Sequence, residues 1–460
     1  MLALRAMLRI LVLAVAPTVG LAQQPPAVGQ GHENASTFLV DAPVDWPQWG
    51  RDPSFHSFSA VHDTAAPAAA RGAEWSFAAG DRVVSSPAVV GERIWFGSDD
   101  GHMYCLNRTT GALLWSFATT GGAPGCVGNP CEHGLCPCGK VRSSPAVSAD
   151  LSVVFGSYDF AVYKLDVAGQ LLWRTPTRGA VYGPATVDRA DGGGAVYIGS
   201  FDEGLYKLRG ADGAVLWRAA LGAHGDSGWA LGRAGGAAAA AGLVFGVSNE
   251  GGLCTSWPPP DCPSPSPSPG GGSCFAFAIN ASTGGVVWRA PTGGPGGGGM
   301  LAAGAFIAGA WTGNLTSFDA RTGSVRWSAD LGGEIESHPA LGPGGDVVFA
   351  SAEESRALYA LDRATGRELW RYTGAGEELN GSPSVTLDTV FVGSNDHFLH
   401  AVDRTTGAFK FKIKTCANVF SSAAIADDGM AYIACNTETG PTWNETGVGA
   451  VYAIDPALHQ

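Results

Sequence analysis

The stretch Ser85–Trp115, SSPAVVGERIWFGSDDGHMYCLNRTTGALLW, has a counterpart far along the chain in Ser382–Phe411, SPSVTLDTVFVGSNDHFLHAVDRTTGAFKF. Each reads as an apolar strand, a second strand ending in Gly-Ser, a third ending in Asn or Asp, a Thr-Gly turn, and a fourth strand closing on an aromatic. Alternating apolar residues, as in AVYIGS and DVVFAS, put one face of each strand into a core. The Thr-Gly pairs (Thr110-Gly111, Thr283-Gly284, Thr322-Gly323, Thr365-Gly366 and Thr406-Gly407) supply a tight turn in which Gly takes a positive φ. The Asn or Asp before them (Asn107, Asp319, Asp362, Asp403) bonds to the turn backbone.

The closing aromatics fall at Trp75, Trp115, Trp173, Trp217, Trp288, Trp327, Trp370 and Phe411. Undecorated spacings run from 39 to 44 residues, and the two longer ones, 58 and 71, carry a Cys-rich and a Pro-rich insert. A four-strand unit recurring at this period is a propeller blade. Seven repeats run complete to Phe411. An eighth begins with strands near Val419–Ile425, Met430–Cys435 and Gly449–Asp455, and its outer strand is expected from Glu74–Phe77. The expectation is an all-β, eight-bladed β-propeller whose N-terminal strand closes the last blade, leaving no open sheet edge.

The segmentation follows. Residues 1–22 read as a signal peptide: Arg5 and Arg9 precede an apolar core, Ile10–Ala16, too short to span a bilayer, and Gly20 and Ala22 set a cleavage site. Gln23 stands where a lipidated Cys would be, so lipid anchoring is not expected. Residues 23–70 form a leader and 71–456 the propeller, with inserts at about 121–140 and 250–273. No later apolar run is long enough to insert in a membrane. The placement is extracellular, or lumenal or periplasmic.

In that compartment ten cysteines favour disulfides. Cys126, Cys131, Cys136 and Cys138 cluster in the first insert, where zinc is the alternative. Cys254, Cys262 and Cys274 surround the second, and Cys416 and Cys435 lie at matching ends of neighbouring strands, a candidate pair. The net charge of −13 excludes a nucleic-acid partner, which needs a basic footprint. A charged fraction of 15% beside 67 glycines fits a turn-rich β protein. Six sequons occur; Asn34, Asn314 and Asn444 are the better glycosylation candidates, since Asn107 and Asn280 occupy turns and Asn380 the channel mouth. The Ser-Pro alternation Pro263–Pro269 reads as an extended spacer.

Repeats of the form S-P-x-V, V-y-x-G-S, L-y-A-L-D, T-G, W resemble those of the pyrroloquinoline-quinone (PQQ)-like propellers. The leader DWPQWGRDPSFHSFSA, Asp45–Ala60, is similar to the W-P-x-x-G-x-D-P segment that precedes such repeats. The resemblance covers roughly residues 45–456. It implies either a quinoprotein alcohol dehydrogenase or a non-enzymatic propeller like that of bacterial outer-membrane assembly. The dehydrogenases carry an adjacent Cys-Cys pair near the cofactor; here Cys136 and Cys138 are separated by Pro137, and C-x-x-C-H is absent.

Residues just before the innermost strands form the mouth of a propeller channel. Two before Ser-Pro or its equivalent stand Val84, Arg142, Val181, Asp226, Gly298, Glu336, Asn380 and Phe420. Asp226, Glu336 and Asn380 are hard oxygen ligands of the kind calcium prefers and the quinoprotein site resembles. Arg142 suits a carboxylated cofactor, and Arg82, Tyr182, His224, Trp229, Glu334 and His338 complete a funnel. The resemblance implies cofactor contacts from Arg142, Glu336, Asn380 and Trp229, with Asp226 or Glu336 as the base of an alcohol oxidation. The expectation is a monomeric secreted scaffold with a protein or glycan partner, and PQQ and calcium enter only in the alternative reading as a dehydrogenase.

Overall fold

The computed structural model describes residues 48, 50–52, 57–60, 74–120, 139–188, 194–221, 230–231, 242–248, 274–436 and 449–456, all within the unit Asn34–Gln460. They form eight antiparallel four-stranded sheets with no α-helix among the described residues, an eight-bladed β-propeller. Blade 1 runs outward through Ala88–Val90, Arg93–Gly97, His102–Asn107 and Leu113–Ala118. The next six repeat that order. Blade 8 takes Ala424–Ile425, Ala431–Asn436 and Gly449–Ile454 from the end of the chain and Trp75–Ala78 from its beginning. The closing strand pairs antiparallel, Trp75 opposite Ala453 and Ala78 opposite Ala450, as the repeat count requires. The innermost strand of this blade starts later than the sequence suggests, because Val419–Ala423 forms the loop leading into it.

The two signatures of the repeat, Trp and Thr-Gly, turn out to be halves of one contact. Each closing Trp lies over the glycine turn of the following blade, Thr-Gly in five cases and Ala168-Gly169 and Asp212-Gly213 in the other two, and donates from Nε1 to a turn carbonyl there, at 2.8 to 3.2 Å in all seven. The turn glycine is positive in φ and has no room for a side chain: a Cβ on Gly323 (φ 72°) would sit 2.6 Å from the Trp288 ring. Trp75 makes this contact across the ring closure, to Arg108 and Gly111. Phe411, which closes blade 7, faces blade 8, where the third and outer strands come from opposite parts of the sequence. No tight turn joins them, so an indole donor has no carbonyl to meet there.

Every blade from 1 to 7 has a register shift beside its closing aromatic, as where Cys105 faces Trp115 and Leu106 faces Leu113. Such bulges twist the outermost strand and blunt it against edge-to-edge pairing. The paired Ser-Ser before the inner strands is likewise structural. Ser85 Oγ bonds Gly97 of its own blade, while Ser86 Oγ accepts the Ser422 amide from blade 8 and the Ser86 amide donates to Ser144 of blade 2. Apolar clusters fill the spaces between blades; one of them joins blades 7, 8 and 1 through Phe411, Tyr432 and Phe96. Cys416 and Cys435 form the expected disulfide, Cα–Cα 5.9 Å, between the exit of blade 7 and the second strand of blade 8. Cys105, by contrast, is an unpaired buried thiol that burial pushes up to about 11. The four-Cys insert, Cys254, Cys262, the Ser-Pro spacer, Asn34 and Asn444 lie outside the described residues. No described helix is long and apolar enough to cross a membrane.

Candidate functional site at the channel mouth

Two backbone contacts recur around the mouth and fix which side chains stand there. In the first, an aliphatic residue entering the inner strand of blades 2, 3, 6 and 8 donates its amide to the turn of the preceding blade: Val141 to Ser98, Val181 to Ser157, Ile335 to Ala310 and Val419 to Ser394. These side chains fill the place a Cβ would take on the glycine of Gly-Ser; on Gly97 it would lie 2.3 Å from Val141 Cγ1. The residues that follow, Arg142, Tyr182, Glu336 and Phe420, therefore share one position. In blade 3 that residue is Tyr182 rather than Val181, since its loop is one residue shorter before the proline. In the second contact, the turn after the second strand of blades 1, 2, 3, 5, 6 and 7 donates to the neighbouring loop through Asp99, Tyr158, Phe201, Trp311, Glu353 and Asn395, which again occupy equivalent places.

Blades 1 and 2 make the cationic side. Asp99 is fully buried, and Arg142 grips it bidentately, Nε to Oδ1 at 2.8 Å and a terminal nitrogen to Oδ2 at 2.7 Å. Arg82 approaches Oδ2 at 3.3 Å and Lys140 at 3.8 Å. Burial works to raise the Asp99 carboxyl, but the charge and hydrogen bonds of Arg142, with Lys140 and Arg82, hold it below its ordinary value. The Arg142 guanidinium lies 5.5 Å over the Tyr158 ring, which packs edge-on against Tyr182 and Phe201. Arg142 is thus already committed on one face to a protein carboxylate.

Blades 6 and 7 make the acidic side. Burial, then the charges of Glu336, Glu378, Glu334 and Glu354, push the Glu353 carboxyl up to about 9. Glu334 is raised by burial and by Glu354 and Glu378. Asn395 Nδ2 donates to Glu378 at 3.3 Å, and the buried oxygens Asn380 Oδ1, Asn395 Oδ1 and Glu353 Oε1 meet no hydrogen-bond donor among the described residues. Glu336 is exposed and Asn380 half-buried on the adjoining blade. His338 is fully buried against Gly298, and desolvation lowers its ring to about 3, so it stays neutral. Asp226, Trp229 and His224 lie outside the described residues, and no group of three His, Cys, Asp or Glu among the described residues could hold a metal.

Of the residues expected at the mouth, the structure brings Arg82 and Arg142 together, and Glu336 with Glu334 beside Asn380's blade. It adds Lys140, two places before Arg142 as Arg82 is two before Val84, and Asp99, Tyr158 and Glu353, which the alignment on Ser-Pro could not reach because they belong to the turn after the second strand. The signal for Asp99 and Tyr158 is nevertheless in the sequence, one place after the recurring Gly-Ser.

A family model described as "Outer membrane protein assembly factor BamB" matches residues 64–133 and 276–441, just over half of the chain. The chain belongs to this family of PQQ-like repeat propellers. The BamB of Burkholderia pseudomallei is 23% identical over 363 residues, 75% of this chain and 80% of that protein. The Shewanella oneidensis BamB is 32% identical over 119 residues, 26% of this chain and only 29% of that protein. Among solved structures, a quinohemoprotein alcohol dehydrogenase from Pseudomonas putida HK5 superposes with a TM-score of 0.70 at 16% identity, covering 92% of this chain and 83% of that one. A europium-containing methanol dehydrogenase gives 0.68 at 14%, covering 92% and 100%. The BamB of Moraxella catarrhalis gives 0.57 at 15%, covering 83% and 99%. At these identities the likeness is one of fold, which enzymes and assembly factors share.

Proposed function

We propose that this chain is a secreted protein-binding scaffold, a rigid ring whose outer surface captures another protein. The match to an outer membrane protein assembly factor carries the reading. A surface feature supports it: the outer strands of blades 1 to 4 each begin with two half-exposed aliphatic residues, Leu113-Leu114, Leu171-Leu172, Val215-Leu216 and Val286-Val287. Apolar side chains repeated on an exterior mark contact surfaces. The signal peptide at 1–22 delivers the chain to an oxidising compartment, as the Cys416–Cys435 bond favours. The test is co-purification after in-cell cross-linking. Leu114→Asp with Leu172→Asp should lose the cross-linked partner while Glu336→Ala with Asn380→Ala retains it; the opposite pattern would move the function to the mouth.

A second reading, a PQQ- and calcium-dependent alcohol dehydrogenase, is favoured by the donor-free buried oxygen of Asn380 next to the blade bearing Glu336. Those two residues with Asp226 would hold the cation, and Arg142 and Trp229 would line the cofactor, which supplies the oxidising group when bound. Asp226 or Glu336 would take the alcohol proton. Saturating PQQ and calcium at about 100 times the dissociation constant should then add ~2.7 kcal/mol in a thermal melt. The absence of a shift would remove this reading.

A further inference from the structure

In each blade the innermost strand pairs on one edge with the second strand and turns its other edge toward the channel axis. In blade 7 that inner edge is occupied. Val385 donates its amide to Ser57 O and accepts the Ser59 amide at its carbonyl, both at 2.8 Å, so that Phe58 runs parallel to it. The outer edge of the same segment is meanwhile used by Thr386, whose amide bonds Thr389. The leader therefore adds a parallel bridge to the inner edge of this blade, inside the ring. On blade 3, four places round an eight-membered ring and so on the facing wall, the Val187 amide donates to Gln48 Oε1 at 3.3 Å.

The described leader residues are braced by bonds among themselves. Arg51 donates its amide to Gln48 O, Ser57 donates to Gly50 O, each at 2.9 Å, and the Arg51 guanidinium reaches Phe58 O at 2.9 Å. Gln48, Arg51, Ser57 and Ser59 are all buried despite being polar. Arg51 and Ser57 hold positive φ values of 67° and 50°, a conformation that persists in such residues only where surroundings enforce it. The chemistry suits the place, because inner-strand edges offer backbone donors and acceptors that need partners when water is excluded.

We propose that the described leader residues, Gln48, Gly50–Asp52 and Ser57–Ser59, form a plug built into the central channel, turning a through-bore into a cup that opens at the mouth described above. The inference is independent of what binds outside the ring.

The test uses the full chain with a protease site placed within residues 61–70, cut under native conditions. The leader fragment should co-elute with the propeller on size exclusion, and the amides of Val187 and Val385 should stay protected from hydrogen exchange. A fragment that elutes separately, with those two amides exchanging as slowly as before, would overturn the proposal. In the uncut chain, Phe58→Asp should speed Val385 exchange roughly tenfold or more with unchanged tryptophan fluorescence; unchanged exchange would also overturn it.

Discussion

The contact between a closing Trp and the glycine turn of the next blade can be isolated by comparing two glycines. Gly323 and Gly429 both have positive φ, 72° and 86°. A Cβ on Gly429 meets nothing within 4 Å, whereas on Gly323 it would come within 2.6 and 2.7 Å of Trp288 Cδ2 and Cε3. Alanine at either position costs about 1–2 kcal/mol for the left-handed backbone. At Gly323 the indole must also retreat by roughly 1 Å to restore carbon contact distances. Trp288 is tethered through its bond to Ala320 O at 2.9 Å, so retreat stretches that bond as well. Overpacking of this kind costs about 1–3 kcal/mol, which sets Gly323→Ala at ~2–5 kcal/mol in total. Urea denaturation followed by tryptophan fluorescence reads the difference as a lower midpoint at unchanged slope. Equal losses for Gly323→Ala and Gly429→Ala would refute the docking argument.

Other outcomes follow from the mouth and the disulfide. Asp99→Asn leaves Arg142, Arg82 and Lys140 converging on a neutral group and should cost about 3–5 kcal/mol; Arg142→Gln added to it should restore part, as a double-mutant cycle would record. Because the folded chain holds a proton on Glu353 from the ordinary glutamate range up to about 9, it binds more protons than the unfolded chain there. Stability should therefore fall as pH rises through that window, and Glu353→Gln should flatten the slope in urea titrations at pH 5, 7 and 9. Replacing Cys416 and Cys435 by alanine opens a link of sequence separation 19 and should lower stability by about 3 kcal/mol, measured under the same non-reducing conditions.

The blade count and the ring closure were legible because packing imposes them on every repeat: Trp115 and Gly169 must both be present for one contact to form. Even the exception at Phe411 was visible, although its reason, the absence of a turn beyond it, needed the strand order. The mouth was legible only in part. Arg142 and Glu336 could be placed from Ser-Pro, but Val181 was taken for Tyr182 because a single-residue deletion leaves no mark in an alignment of short loops. The carboxylate that Arg142 grips, Asp99, is 43 residues away in sequence, and nothing local pairs them. The leader's route into the channel was equally hidden, since its partners Val187 and Val385 are distant and bond through backbone.

The same repeat that hides the site also says where it can change. In blades 1, 2, 3 and 7 the turn after the second strand reads Ser-x-Asp: Ser98-Asp99-Asp100, Ser157-Tyr158-Asp159, Ser200-Phe201-Asp202 and Ser394-Asn395-Asp396. The Ser hydroxyl accepts the Asp amide two residues on, at 3.1 to 3.3 Å, which fixes the turn. The Asp carboxylate in turn bonds a side chain of the third strand, Tyr104, Tyr163, Tyr206 or His400, four residues further along. Both flanking residues are therefore held by the blade itself. The middle residue is tied to the blade only through its backbone amide, which bonds the neighbouring loop, and its side chain stands at the mouth, where it is an aspartate, a tyrosine, a phenylalanine and an asparagine in turn. Invariance at the flanks and variety between them is what a scaffold carrying a tunable rim requires. Tyr158→Ala and Phe201→Ala should accordingly alter the mouth while leaving the Ser-Asp turns, and the blades that depend on them, in place.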